Sequence, residues 1–166
     1  VAVAGSWAGI GNLIGAYVSA GSAFQFGASV VEGSNELIAY INHYSSLCPQ
    51  TKYVLGGYSQ GAMVNTMSLS KIDPKKIIYV ANFGDPKAYF PEGQGRMPDA
   101  CSGKNLSDYR AYVSDCHAYK GILGGRNPYQ PTGYTGKLGV WCNDRDIMCS
   151  SGVSVDDHTS YVRNGL

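Results

Sequence analysis

The sequence predicts a single α/β domain built around a parallel β-sheet. Two apolar segments with strand character, residues 53–55 and 77–84, flank an apolar segment with helical character at residues 62–67. A third strand-like segment follows at residues 137–142. Strands that alternate with helices are joined by right-handed crossovers, which make the strands parallel. With 166 residues, 44% of them hydrophobic, the chain can fill one core of ordinary size.

The first fifty residues predict one strand, one loop and one helix. Residues 1–5 have strand character, and the glycines of residues 9–15 loosely resemble a dinucleotide-binding fingerprint with Glu32 as the ribose-binding acid. The glycine spacing is one residue too long, so a glycine-rich loop is the preferred interpretation. Ser29-Val-Val-Glu32 has the form of a capping box, and apolar residues recur at steps of three and four, at Val30, Leu37, Ile41, Tyr44 and Cys48. The pattern predicts a helix from about Ser29 to Pro49, with one buried face.

The sharpest motif follows the strand at residues 53–55. Gly57-Tyr58-Ser59-Gln60-Gly61 reads G-x-S-x-G, the pattern of a nucleophile elbow between a strand and a helix. Such a turn holds its serine in a strained backbone conformation, and the two glycines leave room where strand and helix crowd each other. Ser59 is therefore the candidate nucleophile. The backbone N–H of Gln60, at the helix N-terminus, is a candidate donor to a developing oxyanion.

Residues 85–137 lack a regular apolar period and are rich in proline, glycine and tyrosine. We interpret them as a long loop excursion over the sheet. Cys101 and Cys116 lie inside this segment and are predicted to form a disulfide that holds it.

Two more cysteines follow the last predicted strand. A disulfide between Cys142 and Cys149 would close a short ring, and Cys48 would remain a free thiol. Five cysteines and few charges favour an oxidising, extracellular setting. The chain has no C-x-x-C pair and no clustered histidines, so a structural zinc site is not expected.

Composition argues against two classes of partner. Charged residues make up 15% of the chain, the net charge is +1, and no run of lysines or arginines occurs. Nucleic acids and anionic membrane surfaces are therefore unexpected partners. No apolar segment approaches the ~20 residues needed to span a bilayer.

An elbow serine needs a base to take its proton and an acid to orient that base. Hydrolases with this elbow carry their groups in the order serine, acid, histidine, which excludes His43. His117 and His158 remain. His158 is preferred because it follows a strand whose C-terminal end carries Asp144 and Asp146, at the edge where parallel sheets place their active sites. The residues alone leave the choice between Asp144 and Asp146 open.

These motifs together resemble the cutinase family of α/β-hydrolases, which includes acetylxylan esterases and bacterial cutinase-like esterases. The resemblance rests on G-G-Y-S-Q-G-A at 56–62, C-N-x-x-D-x-x-C at 142–149, the later histidine, the helix ending at Cys48-Pro49, and F-G-D-P at 83–86. It implies a three-layer α/β-hydrolase sandwich with a central parallel sheet over residues 1–166. It also places the acid at Asp146 and the base at His158, beside the nucleophile Ser59.

The resemblance implies a secreted, monomeric serine esterase without metal or cofactor. Short acyl esters of carbohydrate or cell-wall lipid are the expected substrates, with cutin as a further possibility. The alternative is a non-catalytic module that binds cell wall or carbohydrate. Family members carry a second oxyanion donor, a serine or threonine, in an earlier segment that has no counterpart here. We therefore expect an incomplete chain that lacks this segment and a closing C-terminal helix.

Overall fold

The computed structural model of the chain describes residues 20–90, 110–112, 119–126, 129–143, 145–150, 152–161 and 163. In chain order the strands are β1 (Tyr53–Tyr58), β2 (Ile77–Phe83), β3 (Tyr89–Phe90), β4 (Arg110–Tyr112), β5 (Tyr119–Lys120) and β6 (Leu138–Trp141). The α-helices are α1 (Ala20–Leu47), α2 (Gln60–Ser68) and α3 (Val155–Thr159), and short 3-10 turns span Leu69–Lys71 and Pro74–Lys76.

Four parallel strands form the main sheet, in the order β1-β2-β6-β4. The register aligns the last residues of three of them, because Tyr58 pairs with Phe83 and Phe83 pairs with Trp141. The carboxyl ends of β1, β2 and β6 therefore share one edge of the sheet, which is where parallel sheets place ligands.

The core lies on the central strands and beneath the helices. Val80, Leu138 and Val140 are fully buried, as the near-continuous apolar strands predict. α2 packs on β1 and β2, and α1 packs on α2 so closely that a Cβ at Gly33 would lie 3.1 Å from Val64 Cγ2. The parallel sheet flanked by helices is the predicted α/β architecture.

The helix boundary predicted at Ser29 is wrong. α1 begins at Ala20, nine residues earlier, and Ser29 lies inside it with its hydroxyl donating to the Phe26 carbonyl at 3.3 Å. A capping box stabilises the free N–H groups of a helix end, but the same residue types are tolerated inside a helix that packing stabilises. The predicted buried face also ends early: Val30 and Ile41 are buried, whereas Tyr44 is 43% exposed.

Part of the predicted loop excursion is sheet. β4 joins the edge of the main sheet beside β6, and β3 pairs with β5 in a separate antiparallel ribbon. These strands contain two or three residues each, which is too short for a hydrophobic period to be visible. The strand predicted at residues 1–5, and both cysteines of the predicted Cys101–Cys116 disulfide, lie outside the described residues. None of the described helices is long and apolar enough to cross a membrane.

Candidate active site

Ser59 occupies a sharp turn between β1 and α2. It has φ 53° and ψ −116° and is the one residue other than glycine with positive φ in the described part of the chain. Its N–H donates to the Phe83 carbonyl at 2.8 Å, which ties the turn to the end of β2. Residues other than glycine rarely adopt a positive φ, so the surrounding contacts must hold the backbone of Ser59 in this conformation. The predicted elbow geometry is therefore present at Ser59.

The two glycines of the motif have different roles. A Cβ at Gly57 would lie 2.7 Å from the Gly61 carbonyl oxygen and 2.8 Å from Ala62 Cα, so the crossing of strand and helix requires glycine there. A Cβ at Gly61 would meet nothing within 4 Å. The prediction that both glycines relieve crowding is thus wrong for Gly61, because that position of the first helical turn faces open space.

Gln60 begins α2, where the first N–H groups of a helix have no partner within it. The backbone N–H of Gln60 thus stands beside the nucleophile at the positive end of the helix dipole. The side-chain amide of Gln60 donates to Ser29 Oγ and lies 3.4 Å from the Phe26 carbonyl oxygen. These contacts connect the elbow to α1.

His158 reaches Ser59 from the short helix α3. Ser154 caps this helix by accepting a hydrogen bond from the Asp157 N–H at 3.0 Å. The imidazole is buried, with Nε2 at 3.0 Å from Ser59 Oγ and Nδ1 at 2.9 Å from both carboxylate oxygens of Asp146. Hydroxyl, imidazole and carboxylate thus form one hydrogen-bonded chain.

Asp146 lies in the loop after β6, fully buried. A disulfide joins Cys142 to Cys149 and closes the predicted ring around this loop. Inside the ring, the backbone N–H groups of Met148 and Cys149 donate to Asp146 Oδ1 at 2.6 and 3.2 Å. The loop is also bridged to the segment before α3, since the Ser154 N–H donates to the Arg145 carbonyl at 2.8 Å. The ring therefore holds the carboxylate in place, and the bridge holds the helix that carries the imidazole.

Two residues that the sequence did not single out shape the space around the imidazole. Tyr58 stacks on it with ring centroids 5.0 Å apart, and the Tyr58 hydroxyl donates to the His158 carbonyl at 2.8 Å. Burial, and then the charge of Asp146, raises the pKa of Tyr58 well above its usual range, so the phenol stays a neutral donor. Gly84 has φ +59°, and a Cβ there would lie 2.8 Å from His158 Cε1. Tyr58 belongs to the G-x-S-x-G motif and Gly84 to the F-G-D-P segment, but their contacts with His158 are visible only in the folded chain.

A third such residue is Tyr161. Its ring is buried and its hydroxyl donates to Asp146 Oδ2 at 2.5 Å. No pattern in the sequence marks this tyrosine among the thirteen in the chain.

Of the three remaining candidates, the structure describes only His43. His43 is exposed on α1, edge-on to the ring of Tyr44. His117 and Asp144 lie outside the described residues. The described part of the chain contains no group of three or more histidine, cysteine, aspartate or glutamate side chains arranged to hold a metal ion.

The geometry can activate a nucleophile. A hydroxyl 3.0 Å from an imidazole nitrogen can transfer its proton as it attacks an electrophilic carbon. The carboxylate on the opposite ring nitrogen fixes the tautomer and stabilises the imidazolium that forms. Such a site can carry out acyl transfer.

Comparison with known proteins places these observations in a family. The family profile described as Cutinase matches residues 12–166. Carboxylesterase Culp1 of Mycobacterium tuberculosis is 30% identical over 163 residues, which cover 94% of this chain and 61% of its own length. A cutinase of Blumeria hordei is 34% identical over 136 residues, 80% of this chain and 42% of its own length. The chain therefore spans less than two thirds of the length of these two relatives.

Solved structures support the fold. An iodinated complex of acetyl xylan esterase has a TM-score of 0.65 at 19% identity, over 84% of this chain and 66% of that chain. The catalytic core domain of acetyl xylan esterase from Trichoderma reesei has a TM-score of 0.59 at 23% identity, with the same coverage. The predicted cutinase-like α/β-hydrolase fold is confirmed.

Proposed function

This chain belongs to the cutinase family, and we propose that residues 1–166 form one domain that hydrolyses carboxylic esters with Ser59 as nucleophile. The observation that carries the proposal is the hydrogen-bonded chain from Ser59 Oγ through the His158 ring to the Asp146 carboxylate. In this proposal His158 is the base and Asp146 is the acid. Family membership supports the reaction class, and the distances support the residue roles.

The proposed reaction has two halves. Ser59 Oγ attacks the ester carbonyl while His158 Nε2 takes its proton, and the tetrahedral intermediate then releases the alcohol, which receives that proton. The acyl group remains on Ser59. Water attacks the acyl-enzyme with His158 again acting as base, and the acid product leaves. Asp146 keeps its negative charge throughout and stabilises the imidazolium in both halves.

The backbone N–H of Gln60 is the proposed donor to the oxyanion. It lies in the first turn of α2 beside Ser59, and the side chain of Gln60 is fastened to α1. A donor held in place before the reaction stabilises the developing charge without reorganising, which is why removing one such group typically lowers turnover by about 10²- to 10³-fold.

The proposed substrates are short acyl esters of carbohydrate or cell-wall lipid. Polymeric cutin is the alternative ester substrate. Relatives named carboxylesterase and cutinase support an ester substrate. The Cys142–Cys149 disulfide supports an oxidising compartment, so we propose that the protein is secreted. We also propose that it acts as a monomer, and the reaction assigned to Ser59, His158 and Asp146 requires no metal or cofactor.

A covalent serine probe tests the proposal in the full-length protein. A fluorophosphonate should label wild-type protein and the Ser46→Ala variant, which loses an exposed hydroxyl on α1, but should not label Ser59→Ala. Chromogenic esters of rising chain length should then be hydrolysed fastest at short acyl length. Binding of cell-wall carbohydrate without labelling or hydrolysis would instead show a non-catalytic module.

A further inference from the structure

The two oxygens of the Asp146 carboxylate are held by different parts of the chain. Oδ1 accepts the backbone N–H groups of Met148 and Cys149 at 2.6 and 3.2 Å, both from within the disulfide ring. Oδ2 accepts the hydroxyl of Tyr161 at 2.5 Å. His158 Nδ1 lies 2.9 Å from each oxygen. The plane of the carboxylate is thus set by ring amides at one oxygen and by a phenol at the other.

The direction of the phenol hydrogen bond is settled by its surroundings. The Tyr161 oxygen accepts the Asn143 N–H at 3.1 Å, and an ionised carboxylate cannot donate. The phenol could also donate to the disulfide sulfur Cys149 Sγ at 3.3 Å, but sulfur is a weak acceptor and Asp146 Oδ2 is nearer at 2.5 Å, so the phenol hydrogen points at Asp146. The ring is fixed by edge contacts with Phe83 and Tyr58, at centroid distances of 5.9 and 6.1 Å. The hydroxyl therefore has little freedom to turn away from the carboxylate.

Tyr161 stays a donor over the whole working range of pH. Burial, and then the charge of Asp146 and the hydrogen bond to it, raises the pKa of Tyr161 far above that of an exposed phenol. A neutral phenol is among the stronger uncharged donors, and a hydrogen bond to a charged acceptor is roughly twice as strong as one between neutral groups.

The position of Tyr161 in the chain links the acid to the base. Tyr161 follows His158 by three residues, just beyond α3, so one short segment supplies both the imidazole and the phenol that reach the same carboxylate. The imidazole and the phenol therefore reach the carboxylate from the same segment, whereas Asp146 Oδ1 is held by amides of the cysteine ring.

We propose that Tyr161 is the positioning residue of the site: its hydroxyl holds Asp146 Oδ2 so that the carboxylate stays in plane with the His158 imidazole. The inference deepens the proposed function and rests on it for its kinetic consequence. Tyr161 is buried and its hydroxyl contacts Asp146, so in this proposal it acts through the carboxylate rather than on the ester.

The hydrogen bond has two effects on acyl transfer. It fixes the orientation of the carboxylate, and it disperses part of the negative charge that stabilises the imidazolium. Without it, Asp146 would be freer to rotate and would carry more of its charge toward His158. Turnover should fall because the alignment is lost, and the acid limb of the pH profile should move to higher pH because the protonated imidazole is favoured.

Other groups near the His158 imidazole could also affect the pH profile. Among the described residues, the imidazole is faced by Tyr58 from β1, Ser59 from the elbow, Asp146 and Tyr161. The two aspartates of α3 are engaged elsewhere: Asp157 lies 3.9 Å from Arg145, and Asp156 lies 2.7 Å from Arg163.

The test compares two conservative variants of the full-length protein. Tyr161→Phe removes the hydroxyl that reaches Asp146, and Tyr134→Phe removes the hydroxyl of another buried tyrosine, which donates to the Ile72 carbonyl at 2.9 Å. For Tyr161→Phe we expect kcat on a short-chain ester to fall about ten- to a hundredfold, the range of a hydrogen bond to a charged group. KM should change little, and the acid limb of the pH profile should move to higher pH. Tyr134→Phe should keep the wild-type kcat and pH profile.

A second readout needs no turnover. The proton on His158 Nδ1 can be followed by NMR in the resting protein, and Tyr161→Phe should shift or broaden this resonance while Tyr134→Phe leaves it in place. An unchanged resonance, or a kcat and acid limb of Tyr161→Phe that match Tyr134→Phe, would overturn the positioning role. Absence of hydrolysis and labelling in wild-type protein would instead overturn the esterase proposal, and the resonance would still decide the role of Tyr161.

Discussion

His158 Nε2 lies 3.0 Å from Ser59 Oγ, although 99 residues separate the two in the chain. The contact exists because β1 ends at the same sheet edge as β6, and the loop after β6 leads back through α3 to the elbow. The following predictions test what that arrangement does.

Loss of either end of this contact should abolish hydrolysis. Ser59→Ala and His158→Ala should each reduce kcat by several orders of magnitude, and the double variant should be no worse than the single ones, because the groups act as a unit. Steady-state hydrolysis of a short-chain ester measures this. His43→Ala, on the exposed side of α1, is the matched control and should retain wild-type activity. A His158→Ala variant that remains active would exclude this histidine as the base.

Opening the cysteine ring should lower both activity and stability. Cys142→Ser combined with Cys149→Ser frees the loop whose amides donate to Asp146, so kcat should fall. Restored chain freedom should reduce the free energy of unfolding by roughly 2 to 3 kcal/mol. Urea unfolding and ester hydrolysis measure the two effects. Cys48→Ser, at an exposed free thiol, should change neither. Wild-type behaviour of the double serine variant would show that the ring is dispensable.

A side chain at Gly84 should displace the imidazole. The Cβ of Gly84→Ala would lie 2.8 Å from His158 Cε1 and 3.2 Å from Asp146 Oδ2, at a backbone φ of +59° that alanine disfavours. We expect kcat to fall and the rate of serine labelling to fall with it. Gly56→Ala, where a Cβ meets nothing within 4 Å, is the control and should label at the wild-type rate. Equal labelling rates for Gly84→Ala and wild-type protein would show that a side chain at position 84 does not displace the imidazole.

Asp85 should make stability depend on pH in the direction opposite to most carboxylates. It is fully buried, and burial raises its pKa although Tyr129, Lys87, Arg126 and Thr66 act to lower it. Below the unfolded pKa of about 3.9 the group is protonated in both states, so its contribution to stability is fully present there. As the pH rises from that value through the folded pKa, the unfolded state releases the proton first, and the contribution is lost.

Urea unfolding of wild-type protein and Asp85→Asn over a range of pH measures this contribution. The stability of wild type relative to the variant should decrease as the pH rises above about 4. Ser46→Ala, which removes an exposed hydroxyl and no titrating group, should show no such trend relative to wild type. A difference between wild type and Asp85→Asn that stays constant or grows with pH would contradict the raised pKa.

The sequence was sufficient for features that local chemistry imposes. A turn as sharp as the one at Ser59 requires glycine at position 57, and the motif shows it. Cysteines seven residues apart close a ring with little chain to order, so the Cys142–Cys149 disulfide could be predicted from spacing. Apolar strands that alternate with a helix restrict the topology to a parallel sheet, and the fold class followed from that pattern.

Tertiary structure decided the features that depend on the direction of side chains. Spacing alone could not separate Asp144 from Asp146, because the proposed role of acid rests on the position of a carboxylate, and both oxygens of Asp146 lie 2.9 Å from His158 Nδ1. The contacts of Gly84 and Tyr161 with this site likewise arise only when β2, the cysteine ring and α3 meet at one sheet edge. Hydrogen bonds extend about 3 Å and depend on angle, so they record where the folded chain places its atoms and leave no period in the sequence.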